Sequence, residues 1–561
     1  MDETQRRVDE IRKESTELEN HIIDQFIEGK LTRRDFVRRG TVVGMSIPLL
    51  SFIAAACGGG NETAGTTGAG TATGNVKPGG NVRVALLQPA TAPNPVIVKD
   101  EGGAGLIGST GEFLSFSNEK LELEPRLAEE WSPNDDGTEW TFKIRQGVKY
   151  HSGATMTAND VKNVFDTLSD PNNASNALSA LGGVLSPGNT EVVDDATVVF
   201  HLDAPNGNFP TLVSSSNYNA IIFPANIDPA DWGKTFDGTG PFKLEKFTPK
   251  VGATFVRFDG YWGEKANPDG MELKLYDTEA PMVNGIKGGE VDFVEHFSVS
   301  GGKALLDDPS VVVSAIRTST HRQLHMRTDK DPFTDKRVRQ AIAMTLDRPA
   351  LVDGLWEGKA DLGNDNPFAP VYPSTDTSVA QREQDLDMAK QLLSDAGKSN
   401  FTVDLNTWNG FEIPDLAQLI KQYASEIGVT INLKITDPTT YYGDAVFGKS
   451  PWLDSVMGIT DYGHRPVPNV FLTSVYASKG TWNAAHFKNA TADQLIAEYI
   501  GALDLDSQRA AAKKLQELLL DETPVSIPYF YNFLSASTPK LKNAVSAATG
   551  QFDLSKAGFT S

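Results

Sequence analysis

A single cysteine, Cys57, serves all 561 residues, so neither a disulfide within the chain nor a thiolate cluster can hold this fold together. The chain must be stabilised by burying apolar side chains, and Cys57 must have another use. The residues before it supply one. Arg33 and Arg34 are followed, from Thr41 to Ala56, by a mostly apolar or small stretch without a charge, which ends Ala54-Ala55-Ala56-Cys57. The stretch is short for a membrane span, which needs roughly 20 residues. A charged start, a short apolar middle and a small-residue end make an export signal, which is set aside from the fold.

Two resemblances sharpen that reading. "TRRDFVRR" is similar to the twin-arginine export motif, with Val37 and Arg38 as conservative departures, and "AAAC" is similar to a bacterial lipobox with Ala54 in place of the usual Leu. The resemblance implies that Cys57 becomes the first mature residue and carries a lipid on its sulfur. Gly58 to about Val76 is rich in Gly, Ala and Thr and has almost nothing to bury, so it reads as a flexible tether, taken as 58–77. Before the arginine pair, Ile11, Leu18, Ile22, Ile23, Phe26 and Ile27 recur near helical spacing among charges. They predict an amphipathic helix that is removed with the signal, within an extension spanning 1–57.

The body that remains, about 480 residues, is too long for one ordinary core and suits two or three compact units. It carries nearly all of the net charge of −22. Such a field repels nucleic acid and anionic lipid, and no basic stripe interrupts it. The texture is mixed α/β. "GGNVRVALLQ" alternates like an opening strand, and Trp140, Phe142 and Ile144 alternate after the "NDDGT" turn to make, with Trp131, one apolar set beneath a hairpin. "NTEVVDDATVVFHL" reads as two strands around Asp194-Asp195. Helical periodicity appears in "KRVRQAIAMTLDRPALVDGLW", "LDMAKQLLSDAGK", "DLAQLIKQYASEIG" and "DSQRAAAKKLQELLLDE". A helix passing through Gly428 into "VTINLKI" predicts an αβ unit, so the half from about 316 onward reads as an open α/β sheet.

The motifs of common enzyme classes are missing: G-x-S-x-G, H-E-x-x-H, the P-loop and paired-cysteine metal frameworks do not occur. "GAGLIG" (Gly103, Gly105, Gly108) satisfies G-x-G-x-x-G, but it follows no clean strand end and no helix visibly opens from it, so it reads as a flexible loop. The eight histidines are scattered without metal-ligand spacing, and "EHF" (Glu295–Phe297) reads as an ordinary strand end. No cofactor and no metal is expected. Arg337 and Arg339, beside Asp335 at a helix start, read as surface ion-pair partners.

Six blocks in order carry a wider resemblance. "EPRLAEEWSPNDDGTEWTFKIRQGVKYHSGATMTANDV", "GTGPFKLEKF", "RFDGYWG", "GIKGGEVDF", "DPFTDKRVRQAIAMTLDRPALVDGLWEGKA" and "AKQLLSDAG" resemble the signature segments of family 5 extracellular solute-binding proteins, the oligopeptide, dipeptide and nickel-binding group of ABC importers. The resemblance implies a two-lobe periplasmic-binding-protein-like α/β fold of type II with an extra subdomain, closing over a central cleft. It distributes the chain as 78–115, 235–315 and 530–561 in lobe I, 116–234 in the extra subdomain, and 316–529 in lobe II. The implied function is a non-enzymatic receptor that takes up a peptide or related small solute outside the cytoplasmic membrane and delivers it to permease transmembrane subunits, working as a lipid-anchored monomer. A metal chelate or an oligosaccharide is the alternative cargo, and a secreted hydrolase the remote alternative.

In that family an Asp in an Asp-Tyr-x-x-Pro-like loop pairs with the α-amino group of bound peptides. The corresponding stretch here, "SVMGITDYGHRPVPNVFL", carries the role to Asp461. His464 and Arg465 depart from the commoner residues of that loop, and Met326-Arg327 stand where many relatives have Asn. Arg465 and Arg327 are therefore candidates to clamp a ligand carboxylate, or equally to serve as charge partners in contacts between the lobes. Trp408, Trp452, Trp482 and Tyr531 are candidate cleft walls.

Overall fold

The computed structural model describes residues 76–560, so the export signal, the first amphipathic segment and most of the tether lie outside the described residues. Lys77, placed in the tether by the sequence reading, is already tied to the body by a backbone bridge to Phe559.

The opening strand Asn81–Leu87 is the middle of a seven-stranded sheet, with parallel neighbours Gly270–Tyr276 and Phe293–Phe297 on its two sides. A central strand covered on both faces needs a continuous apolar run, and Val82, Val84, Ala85 and Leu86 are all fully buried. Beyond it lie the antiparallel strands Gly252–Arg257 and Phe242–Thr248 on one side and Phe533–Ser537 and Val312–Ile316 on the other. A second seven-stranded sheet is built from Ala360–Leu362, Tyr529–Tyr531, His321–Met326, Met457–Tyr462, Phe401–Trp408 and Val429–Thr436, with Val525–Ser526 against His321–Met326. The predicted αβ unit is here: helix Ile413–Ser425 turns at Gly428, whose φ of +83° suits glycine, into Val429–Thr436, parallel to Phe401–Trp408.

A separate four-stranded antiparallel sheet holds Ala128–Pro133, Glu139–Ile144, Thr197–His201 and Thr190–Asp194. Trp140, Phe142 and Ile144 are buried on one face, and the Trp131 and Phe142 rings stack with centroids 6.1 Å apart.

The chain passes between the two large sheets at residues 317–320 and again at Asn532. These crossings are tied to each other: the Thr318 hydroxyl donates to the Tyr531 carbonyl at 2.6 Å, and the Tyr531 N–H donates to the Thr320 carbonyl at 3.0 Å. The two large sheets are thus joined by two short crossings that are hydrogen-bonded to each other.

Two readings are corrected. "GAGLIG" lies in a buried helix, Glu101–Gly108, capped by the Asp100 carboxylate accepting from the Gly103 N–H at 2.8 Å. Its glycines exist for close approach, since a Cβ on Gly102 would collide with the Leu87 carbonyl and one on Gly105 would press on Leu86 and the Gly550 carbonyl. Arg337 does pair with Asp335, but Arg339 is 3% exposed and donates to the carbonyls of Phe333, Glu522 and Thr523, so it ties helix Lys336–Met344 to the end of helix Leu505–Glu522.

Candidate functional site

A cavity of about 580 Å³ lies between the two large sheets and is lined from both. That is within the usual span for small-molecule sites, roughly 300–1,000 Å³. Its wall on the side of the second sheet begins with one register pair. Arg322 and Asp461 are directly opposite each other on antiparallel strands, so both side chains leave the same face. The next pair, His321 and Tyr462, faces the other way, where the rings meet at 5.4 Å inside an aromatic core with Phe471 and Phe530. Burial there holds His321 neutral, with its pKa lowered to about 4.

Arg322 is 1% exposed, and each nitrogen of its guanidinium donates a hydrogen bond. Its Nε and Nη2 donate to the two oxygens of Glu412 at 2.7 and 3.0 Å, and its Nη1 donates to the Tyr531 hydroxyl at 2.8 Å. Tyr529 adds a donor to Glu412 at 3.0 Å. The guanidinium lies 4.7 Å from the Tyr531 ring and 5.3 Å from the Phe411 ring, and Tyr531 stacks on Trp356 at 4.1 Å and 7°.

Asp461 is placed differently. It accepts a hydrogen bond from the Tyr442 hydroxyl, and no cationic side chain pairs with it among the described residues. Nearby, His464 accepts from the Ser319 N–H at 3.1 Å and lines the cavity as a neutral imidazole, its pKa lowered to about 3 by burial and by the adjacent Arg465. Arg465 is fixed by its backbone, whose N–H donates to the Ser319 hydroxyl at 2.8 Å and whose carbonyl accepts from Tyr372 at 2.8 Å. Its side chain has no carboxylate partner among the described residues: Nη1 donates to the His464 carbonyl at 3.1 Å and Nε is buried without a partner.

The opposite wall carries His296, which pairs with Glu101 at 2.6 Å and stacks on Phe533 at 4.2 Å, immediately after the second crossing. Burial acts to lower the His296 pKa, and the Glu101 carboxylate outweighs it, leaving it raised. Next to it Glu295 is 2% exposed, with its carboxyl raised by burial and by Glu101.

The structure thus brings Asp461, His464, Arg465 and Tyr531 to one cavity. It does not bring the other candidates there. Arg327 leaves the far end of its strand, where it pairs with Asp329 at 2.7 Å and donates to the Asp454 carbonyl at 3.0 Å. Trp452 and Trp482 pack with Tyr462 in the core behind Asp461, and Trp408 packs between Phe411 and Tyr442. They support the wall from behind. Arg322, Glu412, Phe411, Trp356, Glu101 and His296 line the cavity and escaped the sequence reading. One signal was available, since "HRQLHM" sets Arg322 on the same face as Leu324 and Met326, with His321, Gln323 and His325 on the other, and the strand is buried at every position.

Residues 122–482 match the family model described as bacterial extracellular solute-binding proteins, family 5 Middle. The chain belongs to this family. Its members are extracytoplasmic solute receptors of ABC importers. Among curated relatives, heme-binding protein A of Haemophilus influenzae is 25% identical over 469 residues, covering 78% of this chain and 84% of its own length. The dipeptide-binding protein DppE of Bacillus subtilis is 25% identical over 479 residues, with 79% and 85% covered. Among solved structures, HbpA2 from Haemophilus parasuis superposes with a TM-score of 0.76 at 21% identity, over 86% of this chain and all of that one. The fold is the two-lobe α/β architecture of these receptors. Among the described residues no helix is long and apolar enough to cross a membrane.

Proposed function

We propose that this receptor takes up small peptides by their two termini, Asp461 pairing with the α-ammonium group and Arg465 with a carboxylate. The observation that carries the reading is the pairing state of the two residues: in a wall where each nitrogen of the Arg322 guanidinium is hydrogen-bonded and Glu412 balances its charge, Asp461 and Arg465 lack ionic partners of their own among the described residues. Charges withdrawn from water and left unpaired are costly, and a zwitterionic solute relieves both at once. The relative named for dipeptides adds support.

In this reading the lobes are 78–115, 235–315 and 530–561 against 316–529, with 116–234 as the extra subdomain, and the paired crossings at 317–320 and 532 are the hinge. A ligand touching both walls binds the closed state better and shifts the population toward it. The receptor acts as a monomer, exported through the Arg33-Arg34 signal, anchored by lipid on Cys57, and docks on permease transmembrane subunits. Chemistry on the ligand is not part of its work.

Calorimetric titration with L-alanyl-L-alanine tests the reading. Asp461→Ala should weaken binding by about 2–5 kcal/mol, the usual cost of stripping one partner from a buried charge pair. The N-acetylated peptide should bind weakly to both proteins. Unchanged affinity in Asp461→Ala refutes the ammonium contact.

A further inference from the structure

Phe411 breaks two rules at once. It is 66% exposed, more than any other large apolar residue described, and its φ is +51°, a region that bulky side chains rarely enter. The turn around it is made for this placement. Gly410 permits the chain to fold over the Trp408 ring, where any Cβ would collide, and Glu412 is then anchored by its two bonds to Arg322. Backbone strain held by such fixed neighbours is found at working sites.

What the strain presents is the open end of a stack. Trp356 lies on Tyr531, Tyr531 faces the Arg322 guanidinium, and the guanidinium faces Phe411, which lines the cavity. The two inner layers are covered on both sides and Trp356 is buried at one end, whereas Phe411 at the other end is exposed. We infer that the bound solute supplies the next layer, a neutral aromatic ring laid against the exposed face of Phe411. A second cation is disfavoured there, because the guanidinium already draws on the ring's π density from the inner side and would repel a like charge through it. An aromatic ring meets no such repulsion and gains both burial and offset stacking.

The inference rests on the peptide reading for its ligand class, so two probes separate them. The first is a pair of dipeptides, L-alanyl-L-phenylalanine and L-alanyl-L-cyclohexylalanine, which share a shape and differ in the π system. The wild type should prefer the aromatic one by about three- to tenfold, the size of a stacking pair. Phe411→Leu should bind the two alike, with an unchanged melting temperature. Equal affinity in the wild type overturns the stacking assignment, as does a preference that survives in Phe411→Leu. The second probe is indole, observed by saturation-transfer NMR without any peptide. Its saturation should be strong in the wild type and lost in Phe411→Ala. If both dipeptides fail to bind while indole behaves this way, the peptide reading falls and the aromatic layer stands. No saturation in the wild type, or equal saturation in both proteins, overturns it.

Discussion

The Asn208 side chain donates to Asn469 Oδ1 at 3.0 Å across 261 residues of sequence, a link between the four-stranded-sheet unit and the second large sheet's side that is separate from the crossings at 317–320 and 532. Gln508 completes the contact by donating to Asn208 Oδ1 at 3.1 Å, and all three side chains are less than a tenth exposed. Gly207 lets the backbones touch, its N–H donating to the Ile500 carbonyl at 2.8 Å where a Cβ would strike the Ala502 carbonyl. The neutral amide contact thus adds a second connection to the one that the crossings make.

Asn208→Ala strands a buried donor on Gln508 and a buried acceptor on Asn469. The expected loss is about 1–3 kcal/mol for an unsatisfied buried polar group, read from the urea midpoint of the ligand-free protein. A midpoint within error of the wild type would show that water replaces the missing amide.

Glu412 and Arg322 form the most enclosed ion pair of the cleft, with side-chain exposures of 12% and 2%. Glu412→Ala leaves the buried guanidinium hydrogen-bonded to the Tyr531 hydroxyl alone, and should cost about 3–5 kcal/mol of stability. The double variant Arg322→Met, Glu412→Leu should recover much of that loss while abolishing the stack under Phe411. Additive losses in denaturant unfolding would contradict the coupling.

The division between what the sequence discloses and what it conceals follows chain distance. The unit 401–436 is legible because its strand, helix, Gly428 turn and second strand are contiguous, and the 131–144 hairpin because its apolar alternation spans a few residues. Asp461 is reachable through its loop motif. Arg322 is not, because its meaning lies in Glu412 and Tyr531, 90 and 209 residues away. The tryptophans mislead for the opposite reason: Trp452 and Trp482 are as apolar as a cleft wall requires, and nothing local says that Tyr462 and Tyr442 surround them. The glycines of 102–108 read as a loop because the strand they pack against ends at Leu87, beyond the helix itself.

The His296–Glu101 pair sets a pH window. His296 is raised, so its contribution is complete below the ordinary histidine pKa of about 6.5 and fades as pH rises through the higher folded value. Glu101 is lowered: burial opposes its charge, His296 overcomes this, and its contribution fades as pH falls through the folded value. The pair therefore supports the fold most at mildly acidic pH. In Glu101→Gln burial is opposed only by the lesser pull of Glu279, so the His296 imidazole, followed by NMR, should titrate below 6.5 instead of above it. A histidine pKa that stays raised would point to Glu279 as the charge that controls it.

The anchor is a prediction from sequence alone. Cys57 ends the apolar run and precedes a stretch poor in bulky apolar side chains, and the chain has no second cysteine to pair with it. Lipid on its sulfur would account for a thiol at that point, since each buried methylene contributes about 0.8 kcal/mol and two acyl chains make attachment stable. The acidic body, at a net charge of −22 for the chain, offers an anionic membrane no electrostatic attraction to take over. Cys57→Ser should therefore move the protein from the membrane fraction to the soluble one after cell fractionation, with peptide affinity unchanged. Replacing Arg33 and Arg34 together by Lys should instead retain the full-length precursor inside the cell. A Ser variant that still needs detergent for release would refute the lipid anchor, and normal export of the double Lys variant would refute the twin-arginine route.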